Sequence, residues 1–557
     1  MALSGKDDFS EWRLGAEPAA RQEVKLEPAP SRPDLSHERL ARPLQTITVE
    51  LLGWIAVGVW ALVTRLVTLG ARPLDTPEAV HALYEFAVGQ AAPRAAIGYL
   101  PTYGGWIHMV SAGLFAGLGS SDYVARLIFA LSGLLLIVMT LAMRPLMGRA
   151  GALGLATLLA VSPSITWFSR ASVTVIPAAA FTLMVLWLFM ALKRRPLLSR
   201  AAALGVALGL MMAADKTSFV TLAIFAVALG LLGLTELTRT NQAWLRTRVW
   251  WRRRSPMVVA AAMVAAIVWF FSELALPGHI QGFAIASLIR SLWLAPSQLV
   301  GYLAGARFFV PPLGLYEFLI VIFAIIGALA ILTRRMRTRF AAWCLIWAVL
   351  SLAFYLWTPA RQSGWIVQML VPMAIVGAFG IEYLHHSEAW AVLRYVFAAL
   401  LLFTIYMQVM ANFVYFAPSR AQAPWARRLS LYTRDATTVE TPQLCAAAIK
   451  RTAPGSATVF FPPDTAAALR WYLRSLRPVA RARDARVVVG GKVNTGPGKT
   501  YHFDYEMGWT PSLRMLDASL ALAYLASTQV WSPVQSRATT LFVRAAPVFG
   551  PTAIFAP

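Results

Sequence analysis

Three side chains capable of acid–base chemistry lie close together just after the first long apolar segment. Asp75 and Glu78 are carboxylates, and His81 follows Glu78 by three residues, so those two would share one face of a helix. A carboxylate at a membrane surface can act as the base for an acceptor hydroxyl or as a ligand for a divalent cation. We therefore take Asp75, Glu78 and His81 as candidate catalytic residues, with Glu78 as the most sensitive to replacement.

The same residues also fit the start of a helix. Asp75 is a favoured N-cap, Pro77 suits the first turn, and Glu78 stands three residues after Asp75, as a capping box requires. A lone histidine is more often structural than catalytic. If capping is the whole role, replacing Glu78 by Gln leaves stability nearly unchanged, since Gln also completes a capping box.

Cations in turns between apolar segments form a second group of candidates. Arg170, Lys216 and Arg361 each lie in a short turn that we predict to face outward. A guanidinium or ammonium group there can bind the phosphate of a lipid-linked ligand. Lys and Arg at helix ends also extend towards the interface without any ligand, and that alternative stays open for each residue.

Motifs for soluble nucleotides, structural zinc and serine hydrolysis are absent from the sequence. It has no Gly-rich phosphate loop, no paired-Cys metal spacing and no Gly-x-Ser-x-Gly elbow. The metal ligands, if there are any, are unknown at this point. A divalent cation at the carboxylates remains the one cofactor that the pattern allows.

The elements that must position these residues are membrane spans. The chain is 58% hydrophobic with a mean hydropathy of +0.60, and only 14% of its residues are charged, which excludes a soluble globular protein. Its net charge of +24 comes from Lys and Arg clusters between apolar runs, where they act as orientation signals. We therefore predict a polytopic α-helical membrane protein and no nucleic-acid partner.

Hydropathy predicts about eleven transmembrane helices, with the N-terminus in the cytoplasm. The predicted spans cover about residues 47–69, 124–143, 151–168, 174–192, 201–214, 219–236, 257–276, 313–332, 340–357, 365–384 and 390–410. The loop 70–123 then faces outward, and two amphipathic helices at about 76–90 and 102–118 are predicted to lie in the interface. The predicted location is the inner (plasma) membrane.

Composition divides the chain into three predicted domains. Residues 1–46 are polar and proline-bearing, as in a disordered cytoplasmic tail, and residues 47–410 form the membrane domain. From 411 to 557 the apolar runs shorten to strand length, as at 457–461 and 487–489, and a helical pattern at 465–476 alternates with them. This predicts an extracytoplasmic soluble α/β domain. Its 17 Lys and Arg against 7 Asp and Glu favour an anionic partner.

Several motifs between residues 65 and 195 point to a known superfamily. They are Arg65-x-x-x-Leu69-Gly70-x-Arg72-Pro73-Leu74, Glu78-x-x-His81-Ala82, Tyr99-x-Pro101-x-Tyr103-x-Gly105, Gly119-Ser120-Ser121-Asp122-Tyr123-x-Ala125-Arg126-Leu127, and Ser162-Pro163-Ser164 with Phe168-Ser169-Arg170; a weaker one is Trp471-Tyr472-Leu473-Arg474. By these motifs the chain resembles the multi-spanning glycosyltransferases of the C superfamily, which include protein O-mannosyltransferases and the lipid A aminoarabinose transferase. Within that superfamily it most resembles the prokaryotic flippase-activity-associated family.

The resemblance implies a transferase that takes a sugar from a polyprenyl-phosphate carrier at the outer face, with an acidic residue of the first outer loop in catalysis. The partners would be the polyprenyl-linked donor, the bilayer and a glycan, protein or lipid acceptor of the cell envelope, with Arg170, Lys216 and Arg361 at the donor phosphate. The chain departs from the family pattern in two places: Pro77 stands where an Asp usually precedes the Glu, and Val173-Thr174-Val175 stands where an acidic residue usually follows the Ser-Arg of the second outer turn.

Those departures keep a second hypothesis open, that of a catalytically degenerate relative that binds a lipid-linked glycan or supports envelope assembly or flipping. A transporter is a third hypothesis. The odd number of predicted spans, the large outer domain and the lack of recognisable repeats disfavour it.

Overall fold

The computed structural model describes residues 49–72, 74–90, 104–237, 243–274, 304–333, 335, 338–358, 363–388, 390–413, 458–462, 465, 467–489, 498–506 and 536–544. The chain divides into two compact units, Met1–Val49 and Glu50–Pro557. The predicted tail 1–46 and Arg361 lie outside the described residues. The boundary near residue 411 remains a prediction.

The described chain up to residue 413 is helical. Its helices are α1 (Val49–Leu66), α2 (Thr76–Gly89), α3 (Gly105–Leu118), α4 (Asp122–Ala142), α5 (Arg144–Met147), α6 (Arg149–Val161), α7 (Pro163–Ser169), α8 (Val175–Arg194), α9 (Leu198–Ala214), α10 (Thr217–Leu237), α11 (Ala243–Leu274), α12 (Ala304–Leu315), α13 (Phe318–Leu332), α14 (Arg339–Trp357), α15 (Ile366–His385, after a 3₁₀ turn at Ser363–Trp365) and α16 (Trp390–Asn412).

The membrane character of the protein is confirmed. Eight of the described helices are long and apolar enough to cross a membrane, and two further spans result if the bent pairs α6–α7 and α12–α13 each count as one. The predicted span at 201–214 corresponds to α9, which is apolar but shorter than this length criterion. All eleven predicted spans therefore coincide with described helices, and eight to ten of them meet the length and hydropathy of a membrane span.

Helix α15 is the centre of the bundle. Residues 364–381, which include most of this helix, are all buried, whereas the buried residues of α1 are Ala61, Thr64 and Arg65. Helix α13 approaches α15 closely at a glycine, because a Cβ at Gly327 would lie 1.9 Å from the carbonyl oxygen of Val376. The core therefore combines apolar packing with a close backbone approach, as is common between helices in membranes.

The two bent pairs meet at one buried carboxylate. Helices α6 and α7 are bent by 64° at Ser162, and α12 and α13 are bent by 88° next to Glu317. Glu317 Oε1 accepts hydrogen bonds from Ser162 Oγ and from the backbone N–H of Ser164, both at 2.8 Å. A single side chain thus satisfies donors that the first bend exposes.

Past residue 413, the described elements form a mixed sheet with one helix. They are β1 (Thr458–Phe460), α17 (Ala467–Tyr472), β2 (Arg477–Pro478), a 3₁₀ turn (Ala482–Asp484), β3 (Val487–Val489), β4 (Gly498–Glu506) and β5 (Ser536–Arg544). The strand order is β2-β1-β3-β5-β4, in which β2, β1 and β3 are parallel and β5 runs antiparallel to both neighbours. The predicted strands at 457–461 and 487–489 and the α/β character are confirmed, and the predicted helix is shorter than expected.

Candidate functional site

Helix α2 begins as its sequence predicts. Asp75 is the N-cap in an extended conformation, and Pro77 lies in the first turn. The backbone N–H of Asp75 donates to Glu78 Oε2 at 3.0 Å, which is one half of a capping box. The helix start is therefore specified locally, by residues three apart.

Glu78 also has partners that no local pattern contains. Arg126 donates to both of its oxygens, from Nε at 2.9 Å and from Nη2 at 2.7 Å. Arg72 Nη2 and the backbone N–H of Ser172 each donate to Oε1 at 2.9 Å. Together with the Asp75 amide, five donors occupy a carboxylate that is 2% exposed. Glu78 thus joins α2, α4 and the turn between α7 and α8.

This environment keeps the Glu78 carboxylate ionised. Burial alone would raise the pKa of Glu78, but the charges of Arg126 and Arg72 outweigh burial and hold the pKa well below its ordinary value. A group whose proton affinity is low and whose lone pairs are occupied is poorly suited to accept a proton from a substrate. The geometry therefore favours a positioning role for Glu78 over that of the base.

Asp75 is the more accessible of the two predicted carboxylates. Its side chain is 25% exposed, and its Oδ2 lies 3.6 Å from Arg72 Nη1. Arg72 in turn lies over the ring of Trp167, with 4.6 Å between the guanidinium carbon and the ring centroid. The Asp75 carboxylate is therefore oriented by a cation that is itself held in place, and it keeps contact with solvent.

His81 is oriented by a backbone carbonyl. Its Nδ1 lies 3.1 Å from the oxygen of Ser172, and because a carbonyl only accepts, Nδ1 carries the proton and Nε2 carries the lone pair. Burial and the neighbouring His108 lower the pKa of His81 to about 3. His81 is therefore a neutral imidazole of fixed tautomer.

A buried Glu–His pair lies next to His81. Glu85 and His108 are both 0% exposed, and Glu85 Oε1 and His108 Nδ1 share a hydrogen bond of 2.8 Å. The ring centroids of His81 and His108 are 4.9 Å apart, edge to face. Within the described part of the chain, Glu85 Oε2 makes no hydrogen bond. Burial raises the pKa of Glu85 well above its ordinary value, and Ser111 offsets this only in part.

The sequence analysis missed this pair, although a signal was present. Glu85 follows His81 by four residues and Glu78 by seven, so all three lie on one face of α2. A carboxylate in an apolar helix is costly and marks a candidate site.

A second missed carboxylate is Asp215, which is 3% exposed. Its Oδ2 accepts from Thr174 Oγ1 at 2.6 Å, and its Oδ1 accepts from the amide and the hydroxyl of Thr217, both at 2.8 Å. Thr174 stands in the stretch where the family pattern has an acidic residue. The structure thus brings a carboxylate from the α9–α10 turn to that stretch.

Arg170, a predicted phosphate ligand, binds the end of α1. Its Nη1 donates to the carbonyl oxygens of Thr64 and Val67 at 2.9 and 2.7 Å, and its Nη2 donates to the oxygen of Thr68 at 3.0 Å. The guanidinium also lies over the ring of Phe413. These are the contacts of a cation that caps a helix C-terminus.

Lys216, the second predicted cation, lies beside Asp215. Its Nζ is 5.5 Å from the centroid of the Trp365 ring. Burial lowers the pKa of Lys216, and the Asp215 charge opposes that effect. No contact in the described chain brings Lys216 and Arg170 together, and Arg361 lies outside the described residues.

A three-ligand metal site does not occur among the described residues. Asp75 faces the Arg72 cation, and the Glu78 oxygens are occupied by five donors, so neither carboxylate fits a divalent cation well. The predicted divalent cation remains a prediction, and no step proposed below uses it.

The C-terminal helix α17 packs on the start of the site. Asp122, the first residue of α4, accepts from Trp471 Nε1 at 2.7 Å and from the hydroxyl of Tyr472. Trp471 is fully buried against Phe86 of α2 and Phe115 of α3. We call these five residues the latch; it holds α2, α3 and α4 in register with the C-terminal elements.

Two solved structures are similar in fold to most of this chain. ArnT from Cupriavidus metallidurans, bound to undecaprenyl phosphate, aligns with a TM-score of 0.51 at 16% identity over 90% of this chain and 99% of its own. The apo form of that ArnT aligns with a TM-score of 0.51 at 16% identity over 88% of this chain and 98% of its own. The chain therefore shares its fold with that ArnT.

A more distant similarity exists to AglB, the archaeal oligosaccharyltransferase from Archaeoglobus fulgidus, solved with an inhibitory peptide and a dolichol-phosphate. It aligns with a TM-score of 0.47 at 13% identity over 78% of this chain and 65% of its own. No protein-family profile and no curated protein matches the chain.

Proposed function

We propose that the protein is a membrane glycosyltransferase that moves a sugar from a polyprenyl-phosphate-linked donor to an acceptor at the outer face. The observation that carries this proposal is the alignment with ArnT, which covers 90% of this chain and 99% of that one. That ArnT was solved with undecaprenyl phosphate, the kind of carrier that the proposed donor would leave behind.

Asp75 is the proposed base. It is the exposed carboxylate of the α2 start, and Arg72 orients it without enclosing it. In the transfer, the bond between the sugar carbon and the carrier phosphate breaks while a bond to the acceptor oxygen forms. The acceptor hydroxyl proton goes to Asp75, and polyprenyl phosphate leaves with the bonding electrons.

Glu78 and His81 have supporting roles in this proposal. Glu78 positions Asp75, because its carboxylate binds the Asp75 amide on one side and Arg126 on the other. His81 presents the lone pair of Nε2 as a hydrogen-bond acceptor for a sugar hydroxyl, since its Nδ1 proton is committed to Ser172.

Lys216 and Arg361 are the proposed ligands of the donor phosphate. Arg170 would act on the same site from a distance, by fixing the end of α1 through its three backbone carbonyls. A cation in each of two turns is enough to bind one phosphate through charge-assisted hydrogen bonds.

The test compares cells with the gene, without it, and with the Asp75→Asn variant. Asn is about as good an N-cap as Asp, so the variant should keep its stability, while an amide cannot act as the base. We expect mass spectrometry to find one envelope glycan missing in the deletion and its polyprenyl-linked sugar accumulated, with the variant lowering transfer roughly 10²-fold. An unchanged set of glycans in the deletion contradicts the proposal.

A degenerate relative that binds the lipid-linked glycan without transferring it is the second candidate. It is favoured by the full occupation of Glu78 and by Pro77 at the family's Asp position. In that case the purified protein binds undecaprenyl phosphate, and Asp75→Asn complements the deletion as well as the wild type does.

A further inference from the structure

A cavity of about 460 Å³ lies among α8, α9, α10 and α14, at the opposite end of these helices from the turns that carry Arg170 and Lys216. Its walls are apolar apart from two cations at helix ends. Lys193 is in the last turn of α8, and Arg339 is the first residue of α14; both are exposed. This is the basic end of the bundle, which the Lys and Arg distribution predicts to be cytoplasmic.

The depth of the cavity matches one leaflet of a bilayer. Along α8 its lining extends from Val185 to Lys193, which corresponds to roughly 12 Å at a rise of 1.5 Å per residue. The hydrocarbon core is about 30 Å thick, so the cavity covers a little less than half of it. The charged residues stand at the end where lipid headgroups lie.

We propose that this cavity binds one acyl chain of an anionic phospholipid, whose phosphate lies between Lys193 and Arg339. The apolar walls suit a hydrocarbon chain, and the two cations suit a negative headgroup. Anionic lipids are attracted to basic clusters at the cytoplasmic leaflet, and basic pockets between transmembrane helices there bind their headgroups. The site is separate from the proposed catalytic residues and does not depend on the proposed function.

A neighbouring cleft provides the control. It lies on the other side of the α8 end, has a volume of about 390 Å³, and is lined by Arg194, Arg195 and Arg200. Arg200 Nη1 donates to the carbonyl oxygen of Ala191 at 2.9 Å, so part of its charge serves the protein's own backbone. Replacing Arg195, which is exposed, removes one charge from this end without touching the cavity.

Two glycines of α10 allow the cavity to be filled selectively. Gly233 lines it, and a Cβ added there meets nothing within 4 Å. Gly230, less than one turn earlier on the same helix, is equally open but does not line the cavity. The Cβ of Gly233→Phe therefore meets no atom, its ring should compete with the acyl chain for the cavity, and Gly230→Phe is its matched control.

The experiment titrates dioleoyl phosphatidylglycerol into the delipidated full-length protein and counts bound lipids by native mass spectrometry. We expect one tightly retained lipid in the wild type, Arg195→Ala and Gly230→Phe. Lys193→Ala and Arg339→Ala should each weaken its binding about tenfold, the effect of losing one charge-assisted hydrogen bond. Gly233→Phe should abolish it.

Three results would overturn the proposal. The first is retention of the lipid by Gly233→Phe at the level of Gly230→Phe. The second is equal binding of dioleoyl phosphatidylcholine, since the cations would then recognise nothing. The third is displacement of phosphatidylglycerol by a stoichiometric amount of undecaprenyl phosphate, which would make the cavity a carrier-lipid site.

Discussion

Helix α2 carries two buried carboxylates on one face, and their surroundings are opposite. Glu78 accepts five hydrogen bonds, three of them from two arginines, whereas Glu85 shares one hydrogen bond with a histidine. The exposures of the two side chains differ by only two percentage points, at 2% and 0%. Burial alone therefore does not decide what a carboxylate does.

The number and charge of the hydrogen-bond donors determine which form of each carboxylate is favoured. Cations lower the pKa of Glu78 and keep it ionised, so it serves as a fixed charge that ties three elements together. No Arg or Lys bonds to Glu85 among the described residues, and burial raises its pKa, which favours its protonated form. The surroundings of the two carboxylates therefore favour opposite forms.

The largest difference between the two carboxylates is expected in the stability of the Glu78→Gln variant. Removing this charge leaves Arg126 buried without its counter-ion, which should lower the free energy of unfolding by about 3–5 kcal/mol. Glu85→Gln should lower it by no more than about 1 kcal/mol, because the Gln side chain can still form a hydrogen bond with His108. Thermal unfolding in detergent, with the exposed Glu388→Gln as a control, distinguishes the two. Equal stability of both variants would show that the donors around Glu78 do not matter.

The dependence on pH should separate the carboxylates further. Because the pKa of Glu85 is raised in the folded state, its contribution to stability is complete below its ordinary value of 4.5 and is lost as pH rises through the folded value. The Glu85→Gln variant lacks this titration. As the pH rises, its free energy of unfolding should therefore increase relative to that of the wild type by up to about 1.4 kcal/mol per pH unit.

The window for that measurement begins at pH 6.5. His81, whose pKa is lowered to about 3, contributes stability that is complete above 6.5 and lost below it, so its titration does not interfere there. Melting temperatures of both proteins from pH 6.5 to about 9 provide the test. Parallel curves would mean that Glu85 is already ionised in the folded protein.

A third prediction concerns the latch, which connects the region around α2 to helix α17. Asp122→Ala removes the acceptor of both Trp471 and Tyr472 and should lower the free energy of unfolding by about 1.5–3 kcal/mol. The matched control is Asp484→Ala, because Asp484 is exposed and its only ion pair in the described chain is with the neighbouring Arg483. Unchanged stability in Asp122→Ala would mean that the latch follows the position of α2 and does not set it.

The smallest effect is expected at Arg170. Arg170→Gln loses the cation at the α1 C-terminus and should lower the free energy of unfolding by about 1 kcal/mol. The exposed Arg481→Gln is the control. A variant that is as stable as the wild type and binds donor less well would restore Arg170 as a direct phosphate ligand.

Local patterns predicted the fold well because hydropathy and capping are local. All eleven apolar segments are helices, and the start of α2 is where Asp75, Pro77 and Glu78 place it. The lengths of the spans were predicted less well. Helix α9 has only 17 residues, and two spans are bent beside Ser162 and Glu317, which form a hydrogen bond although they are 155 residues apart.

The candidate site was predictable only in part, because many of its contacts join residues that are far apart in the sequence. The capping box involves residues three apart, whereas the Arg126 ion pair that reassigns Glu78 spans 48 residues. Asp215 and Thr174 are 41 residues apart, and neither is notable alone. Glu85 was within reach of sequence analysis, because an acidic residue in an apolar helix is itself a signal, but its partner His108 lies on another helix.

The latch has a consequence for how the protein is made. Tyr472 and Asp122 are 350 residues apart, so ribosomes that add about 5–20 residues per second need on the order of 20–70 s to supply the second partner after the first. Through that interval the aromatic faces of α2 and α3 have no Trp471 to cover them, while the later spans are being inserted. The first loop to be synthesised is therefore among the last to complete its contacts, and a chain arrested after α16 would leave Phe86 and Phe115 without Trp471 and open to chaperones and proteases.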